Sequence, residues 1–119
     1  MRTLEEIAER IELRKKKLEE GLRKIVKQLK ELGAIKIVLF GSFASQNISP
    51  STDLDILVVM PKTKSGKDWL REIYQKLERY VASDIIVFNL KEYEESKEEN
   101  FLLREIEKRG RIIYEKELS

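Results

Sequence analysis

Phe40-Gly41-Ser42-Phe43-Ala44-Ser45, followed ten residues after the Gly-Ser pair by Asp53-Leu54-Asp55-Ile56-Leu57-Val58-Val59, decides how this chain folds. The apolar run 35–40 reads as a strand that enters a Gly-Ser turn, and 54–60 reads as a second strand with two acids at its start. Residues i and i+2 of a strand point to the same side, so Asp53 and Asp55 project together towards the turn. Two neighbouring carboxylates repel each other, and the usual remedy is a shared cation. Oxygen donors of this kind suit Mg2+ or Mn2+, with substrate phosphates completing the shell. A lone Asp-x-Asp is more often a solvated pair. The ordered series is more specific here, because Asp84 heads a third apolar run, Ile85-Ile86-Val87-Phe88. Three acids on neighbouring strands would form a platform for phosphoryl or nucleotidyl transfer.

The flanking sequence supplies the rest of an α/β (α+β) domain: a small mixed β-sheet flanked by helices, with a long N-terminal helix. Thr3 and Glu6 form a capping-box pattern. Leu4, Ile7, Ile11, Leu18, Leu22, Ile25, Val26, Leu29 and Leu32 then recur at helical spacing until Gly33. Arg14-Lys15-Lys16-Lys17 interrupts that series. The second half of the helix is therefore expected on the sheet. The first half either reaches a partner or second copy or wraps the domain, and the pattern leaves both open. The strand at 54–60 is apolar at nearly every position, which predicts helices on both faces of the sheet. A helix is expected from residue 67 or 68 to 77, with Leu70, Ile73 and Leu77 inward, and a charged loop over 92–99. A further helix over 101–110 and an edge strand over 111–114 complete the chain. Lys62, Lys64 and Lys67 either meet the phosphates of a nucleotide or lie on a solvated loop.

Composition narrows the chemistry. With 119 residues, the chain reads as one small domain. It has no cysteine and no histidine, so disulfides, thiolate or imidazole metal sites and histidine acid–base chemistry are excluded. Any metal must be held by oxygen. Lys and Arg number 24 against 22 Asp and Glu, and a net charge of +2 gives no electrostatic case for direct nucleic-acid binding. The charged amphipathic start is unlike a signal peptide, and no run is long enough to span a membrane, so the expected location is the cytoplasm. The abundance of Lys, Glu, Arg and Ile leans towards a thermophile.

The combination of strand, Gly41-Ser42, ten residues and Asp53-x-Asp55 closely resembles the core of the nucleotidyltransferase superfamily related to DNA polymerase beta. Within it, the minimal nucleotidyltransferase (MNT) domain is about the size of this chain. The resemblance covers residues 35–88. It implies a catalytic core at 35–88 between a helix at 1–33 and a C-terminal helix and edge strand at 98–119. It also implies that Gly41 and Ser42 hold the nucleotide's terminal phosphates, that Asp53 and Asp55 bind two Mg2+ ions, and that Asp84 completes the metal site and helps activate the attacking hydroxyl. The implied reaction is attack on the α-phosphate of ATP with pyrophosphate leaving. Minimal domains of this type are commonly the antitoxin half of a pair with a helical HEPN-type toxin, to whose tyrosine they add AMP. A catalytically inactive binding module that neutralises the same partner is the alternative, and a small-molecule or RNA acceptor is a third. After Gly-Ser-x-Ala the family commonly carries Arg-Gly. This chain has Ser45-Gln46 instead, losing a phosphate or loop contact and a flexible position.

Overall fold

The computed structural model describes residues 3–78 and 81–117. The last two residues of the tail implied by the 98–119 reading lie outside them. The chain runs α1 (Leu4–Glu31), β1 (Lys36–Phe40), α2 (Gly41–Ala44), β2 (Leu54–Met60), α3 (Gly66–Lys76), β3 (Ser83–Asn89), α4 (Leu90–Ser96), α5 (Phe101–Arg109) and β4 (Arg111–Glu115). The four strands form one mixed sheet in the order β3-β2-β1-β4. β1 is antiparallel to β2 and to β4, whereas β2 and β3 are parallel. A parallel pair needs a crossover connection, and α3 is that crossover.

Side-chain alternation along the strands divides the core in two. Ile37 and Leu39 of β1, the even-numbered apolar residues of β2, and Ile85 of β3 pack with Leu18, Leu22, Ile25 and Leu29 of α1 and with Trp69 and Ile73 of α3. On the opposite face, Val38, Leu57 and Val59 pack with Tyr93, Leu103 and Ile106 of α4 and α5. The unbroken apolar run of β2 follows from being covered on both sides. Trp69 is buried and its Nε1 donates to the Pro61 carbonyl at 2.7 Å. It takes the inward place that the periodicity gives to Leu70.

The expected loop over 92–99 is instead largely helix. Asn89 caps α4 by accepting from the Glu92 backbone N–H at 2.7 Å, while the Glu92 carboxylate accepts from the Asn89 N–H at 2.8 Å. That reciprocal cap satisfies two otherwise orphaned donors. Tyr93, the one apolar anchor of the charged run, is buried in the second cluster. A cap and a single buried ring are enough to order a run of acids.

α1 is 28 residues long, or about 42 Å. Thr3 caps it by accepting from the Glu6 N–H at 3.1 Å. Its first fully buried side chain is Leu18. The preceding turns overhang the sheet and leave Leu4, Ile7 and Leu13 exposed, which stretches the molecule to 52 Å along its long axis. Gly21 lets the packed half come close to Val81, since a Cβ there would lie 2.7 Å from Val81 Cγ2. Among the described residues, no helix is long and apolar enough to cross a membrane.

This division of α1 is testable by equilibrium denaturation. Leu29→Ala, within the sheet-facing half, is expected to cost about 2–5 kcal/mol. Leu13→Ala, at a side chain 67% exposed, is expected to change stability by less than about 0.5 kcal/mol.

Candidate functional site

The sheet register brings the acids together. Asp55 lies opposite Phe40 at the end of β1 and level with Asp84 on β3. Asp55 and Asp84 alternate with residues of the first core cluster, so both belong to the sheet face covered farther along by α4 and α5. Burial first, then the charges of Asp84 and Asp53, push the Asp55 carboxyl above its ordinary 3.8. The carboxylate therefore sits in a place short of positive charge.

Gly41 makes room for it. The residue has φ +76, and an added Cβ would lie 2.2 Å from Asp55 Oδ2. The strand can thus turn into α2 directly against the carboxylate. Ser42 is exposed in the single turn of α2, and its carbonyl accepts from the Asn47 N–H at 2.9 Å and the Ser45 hydroxyl at 3.1 Å. Gln46 then adopts φ 65. This left-handed conformation is where the resemblance leads one to expect glycine, so Gln46 keeps the turn at some cost in backbone strain. The remainder of the loop closes on Thr52, a buried residue whose hydroxyl accepts from the Ser49 N–H at 2.7 Å.

Asp53 follows Thr52, and its partner lies 39 positions away in the sequence. Arg14, from the overhanging half of α1, donates from Nη2 to Asp53 Oδ1 at 2.9 Å and from Nε to the Thr52 carbonyl at 2.8 Å. Asp53, Asp84, Arg14 and Lys17 border a cavity of about 590 Å³. Arg14 and Lys17 of the basic run that breaks the apolar periodicity of α1 are thus placed beside the acids. The spacing of the run is the signal: Arg14 occupies the stripe position between Ile11 and Leu18.

Other expectations separate from this site. Lys62 and Lys64 follow β2, at the end away from Asp55, a strand length of about 17 Å. Lys64 is paired with Glu72 and lies 4.6 Å from the Trp69 ring centre. The structure therefore does not bring Lys62 and Lys64 to the carboxylates, because the strand carries them to the opposite end of the sheet. A larger cavity, about 920 Å³, is at that opposite end. Its Lys36 is already engaged by Glu107 at 2.9 Å and the Tyr93 hydroxyl at 3.1 Å. Asp53 and Asp84 border the smaller cavity and make it the candidate site, with Asp55 beside it through the strand register rather than in its lining.

The fit to a metal is partial. Among the described residues, no group of three or more acidic side chains is arranged to hold an ion unaided. The expected three-acid platform is not preformed. Arg14 engages one oxygen of Asp53, leaving Asp55 and Asp84 as neighbours level with each other on adjacent strands. A pair of hard oxygen donors suits Mg2+ when substrate phosphates supply further ligands.

The family model for the nucleotidyltransferase domain matches residues 19–114. Among solved structures, the crystal structure of a candidate nucleotidyltransferase from Sulfolobus solfataricus aligns over 85% of this chain and 83% of its own, with a TM-score of 0.60 and 17% identity. At that identity the likeness concerns the fold. No curated protein matches the sequence at a significant level.

Two expectations follow from the geometry. The raised Asp55 pKa means that, between the ordinary carboxylate pKa and the raised one, the native chain retains a proton which the unfolded chain has released. Stability therefore falls as pH rises through that range, and the deficit persists above it. Asp55→Asn should be more stable than the wild type at about pH 7 in chelator, and the two should converge as the pH falls below the ordinary carboxylate value of 3.8. Urea midpoints on both sides of that value measure this. Separately, Gln46→Gly should raise stability by up to about 1 kcal/mol in the same assay by relieving the left-handed backbone.

Proposed function

Because the chain belongs to the nucleotidyltransferase domain family, we propose that it is a Mg2+-dependent protein adenylyltransferase, moving AMP from ATP to a tyrosine hydroxyl of a HEPN-type helical toxin and thereby acting as its antitoxin. The observation that carries the reading is the level pairing of Asp55 and Asp84 beside the Gly41 turn. In the proposed reaction the acceptor oxygen bonds to the α-phosphorus, the bond from that phosphorus to the bridging oxygen breaks, and pyrophosphate leaves. Asp84, exposed at the strand entry, takes the acceptor proton. Gly41 and Ser42 offer the turn against which the terminal phosphates lie. Asp53, Asp55 and Asp84 would hold Mg2+, whose chemistry when bound is to neutralise charge on the phosphoryl oxygens. The exposed Leu4, Ile7 and Leu13 on the overhang of α1 suit a protein acceptor better than a small molecule.

A second reading has its own support. With Asp53 tied to Arg14 and, among the described residues, no three acids arranged to hold an ion unaided, the chain would serve as a binding module that neutralises the same partner without chemistry.

Incubation of the chain and a HEPN-type partner with Mg2+ and ATP labelled at the α-phosphate separates the two. The transferase reading expects label on the partner with the wild type, and a loss of at least about a hundredfold in the Asp53→Ala/Asp55→Ala double variant. A stable complex that neutralises the partner without label, equally with both proteins, would favour the binding module.

A further inference from the structure

Resting on the transferase reading, the geometry points to Arg14 as a positioning residue with two successive partners: Asp53 in the metal-free chain, and the nucleotide's phosphates once a divalent cation has taken that carboxylate. Arg14 lies ahead of the segment, 19–114, that the family model matches. It is therefore a feature of this chain's own α1 outside the matched part of the domain.

Several observations support the assignment. The guanidinium side chain is only 18% exposed. Its Nε is held by the Thr52 carbonyl independently of the carboxylate, so the group stays at the cavity if Asp53 is drawn away. An arginine carries five N–H donors. Two of them make the bonds described here, leaving the planar fork with donors for an oxyanion. Among the described residues, the cations bordering this cavity are Arg14 and Lys17. The loop residues Ser45 and Gln46 bring no charge, and Lys62 and Lys64 are at the other end of the sheet. A triphosphate placed beside Asp53, Asp55 and Asp84 needs positive charge in addition to bound metal, and guanidinium geometry matches phosphate oxygens.

The competition at Asp53 has a definite sign. A divalent cation binding there must share or displace a guanidinium 2.9 Å away. Removing Arg14 removes that competitor. The carboxylate does not lose its place, because buried Thr52 is fixed by its own hydroxyl to Ser49 and β2 begins directly after Asp53. Metal and nucleotide should therefore respond in opposite directions. A role confined to folding would weaken both.

The test compares wild type, Arg14→Ala, Arg14→Lys and Asp55→Asn. Mn2+ binding is read from the EPR signal of the free ion, and α,β-methylene-ATP binding is read by calorimetry at saturating Mn2+. Arg14→Ala is expected to bind Mn2+ about two- to fivefold more tightly, the scale of a partly exposed ion pair. The same variant should bind the nucleotide analogue about tenfold more weakly, the scale of a charged hydrogen bond. Arg14→Lys should return Mn2+ affinity towards the wild type but recover nucleotide affinity only in part, since it lacks the fork. If both affinities fall together in Arg14→Ala, or neither moves while Asp55→Asn still loses Mn2+, the role of Arg14 is overturned and the carboxylate site stands. If Asp55→Asn binds Mn2+ as well as the wild type, or neither wild type nor Arg14→Ala takes up Mn2+, the carboxylate reading falls and this inference with it.

Discussion

The parallel register of β2 and β3 is the constraint on which the site depends. It sets Asp55 level with Asp84, while the antiparallel partner β1 ends at Phe40 beside the same residue. A shift of either strand by one residue would send Asp55 or Asp84 to the other face, where Leu54 and Ile56 now bury against α1 and α3. The apolar pattern of the strands therefore enforces the juxtaposition of the acids. Core packing holds the carboxylates together against their repulsion.

That repulsion has visible consequences nearby. Burial and its acidic neighbours push the Asp55 carboxyl upward, and Gly41 must lack a Cβ for the carboxylate to lie against the turn. Gln46 holds a left-handed conformation in the loop that leads to Asp53. Unfavourable charge and backbone strain concentrate within a few residues, while the rest of the sheet is ordinary apolar packing. Such a concentration marks a place shaped by something other than stability.

How much of this was legible in the sequence depended on the range of the interactions. The strands, the Gly-Ser turn, the capped start of α1 and the alternation that aligns Asp53 with Asp55 are local patterns, and they could be read directly. Belonging to the nucleotidyltransferase domain family was legible for the same reason, since its motif is nearly contiguous. α4 was missed although its signal is present: Asn89 and Glu92 have capping-box spacing, but a run of acids behind them reads as loop unless Tyr93 is known to be buried. Lys62 and Lys64 are a different case. They are near the acids in sequence, yet an extended strand carries them to the far end of the sheet. The Arg14–Asp53 pair was out of reach because its partners are 39 positions apart and meet only through the packing of α1.

That last contact changes how α1 is understood. Viewed as a hydrophobic stripe, Arg14-Lys15-Lys16-Lys17 is a defect between Ile11 and Leu18. In the fold, the defect falls where the helix passes the open end of the acidic strands. An apolar residue at position 14 would face the Thr52 carbonyl and the Asp53 carboxylate without satisfying either. The long stem of arginine instead follows the helix surface and delivers a permanent charge to the pair. The stripe is interrupted because the surface opposite it changes from apolar side chains to backbone oxygen and carboxylate. One helix thus forms part of the core in its second half and the wall of the candidate site in its first, and any partner that moves the overhang acts on Asp53 through Arg14.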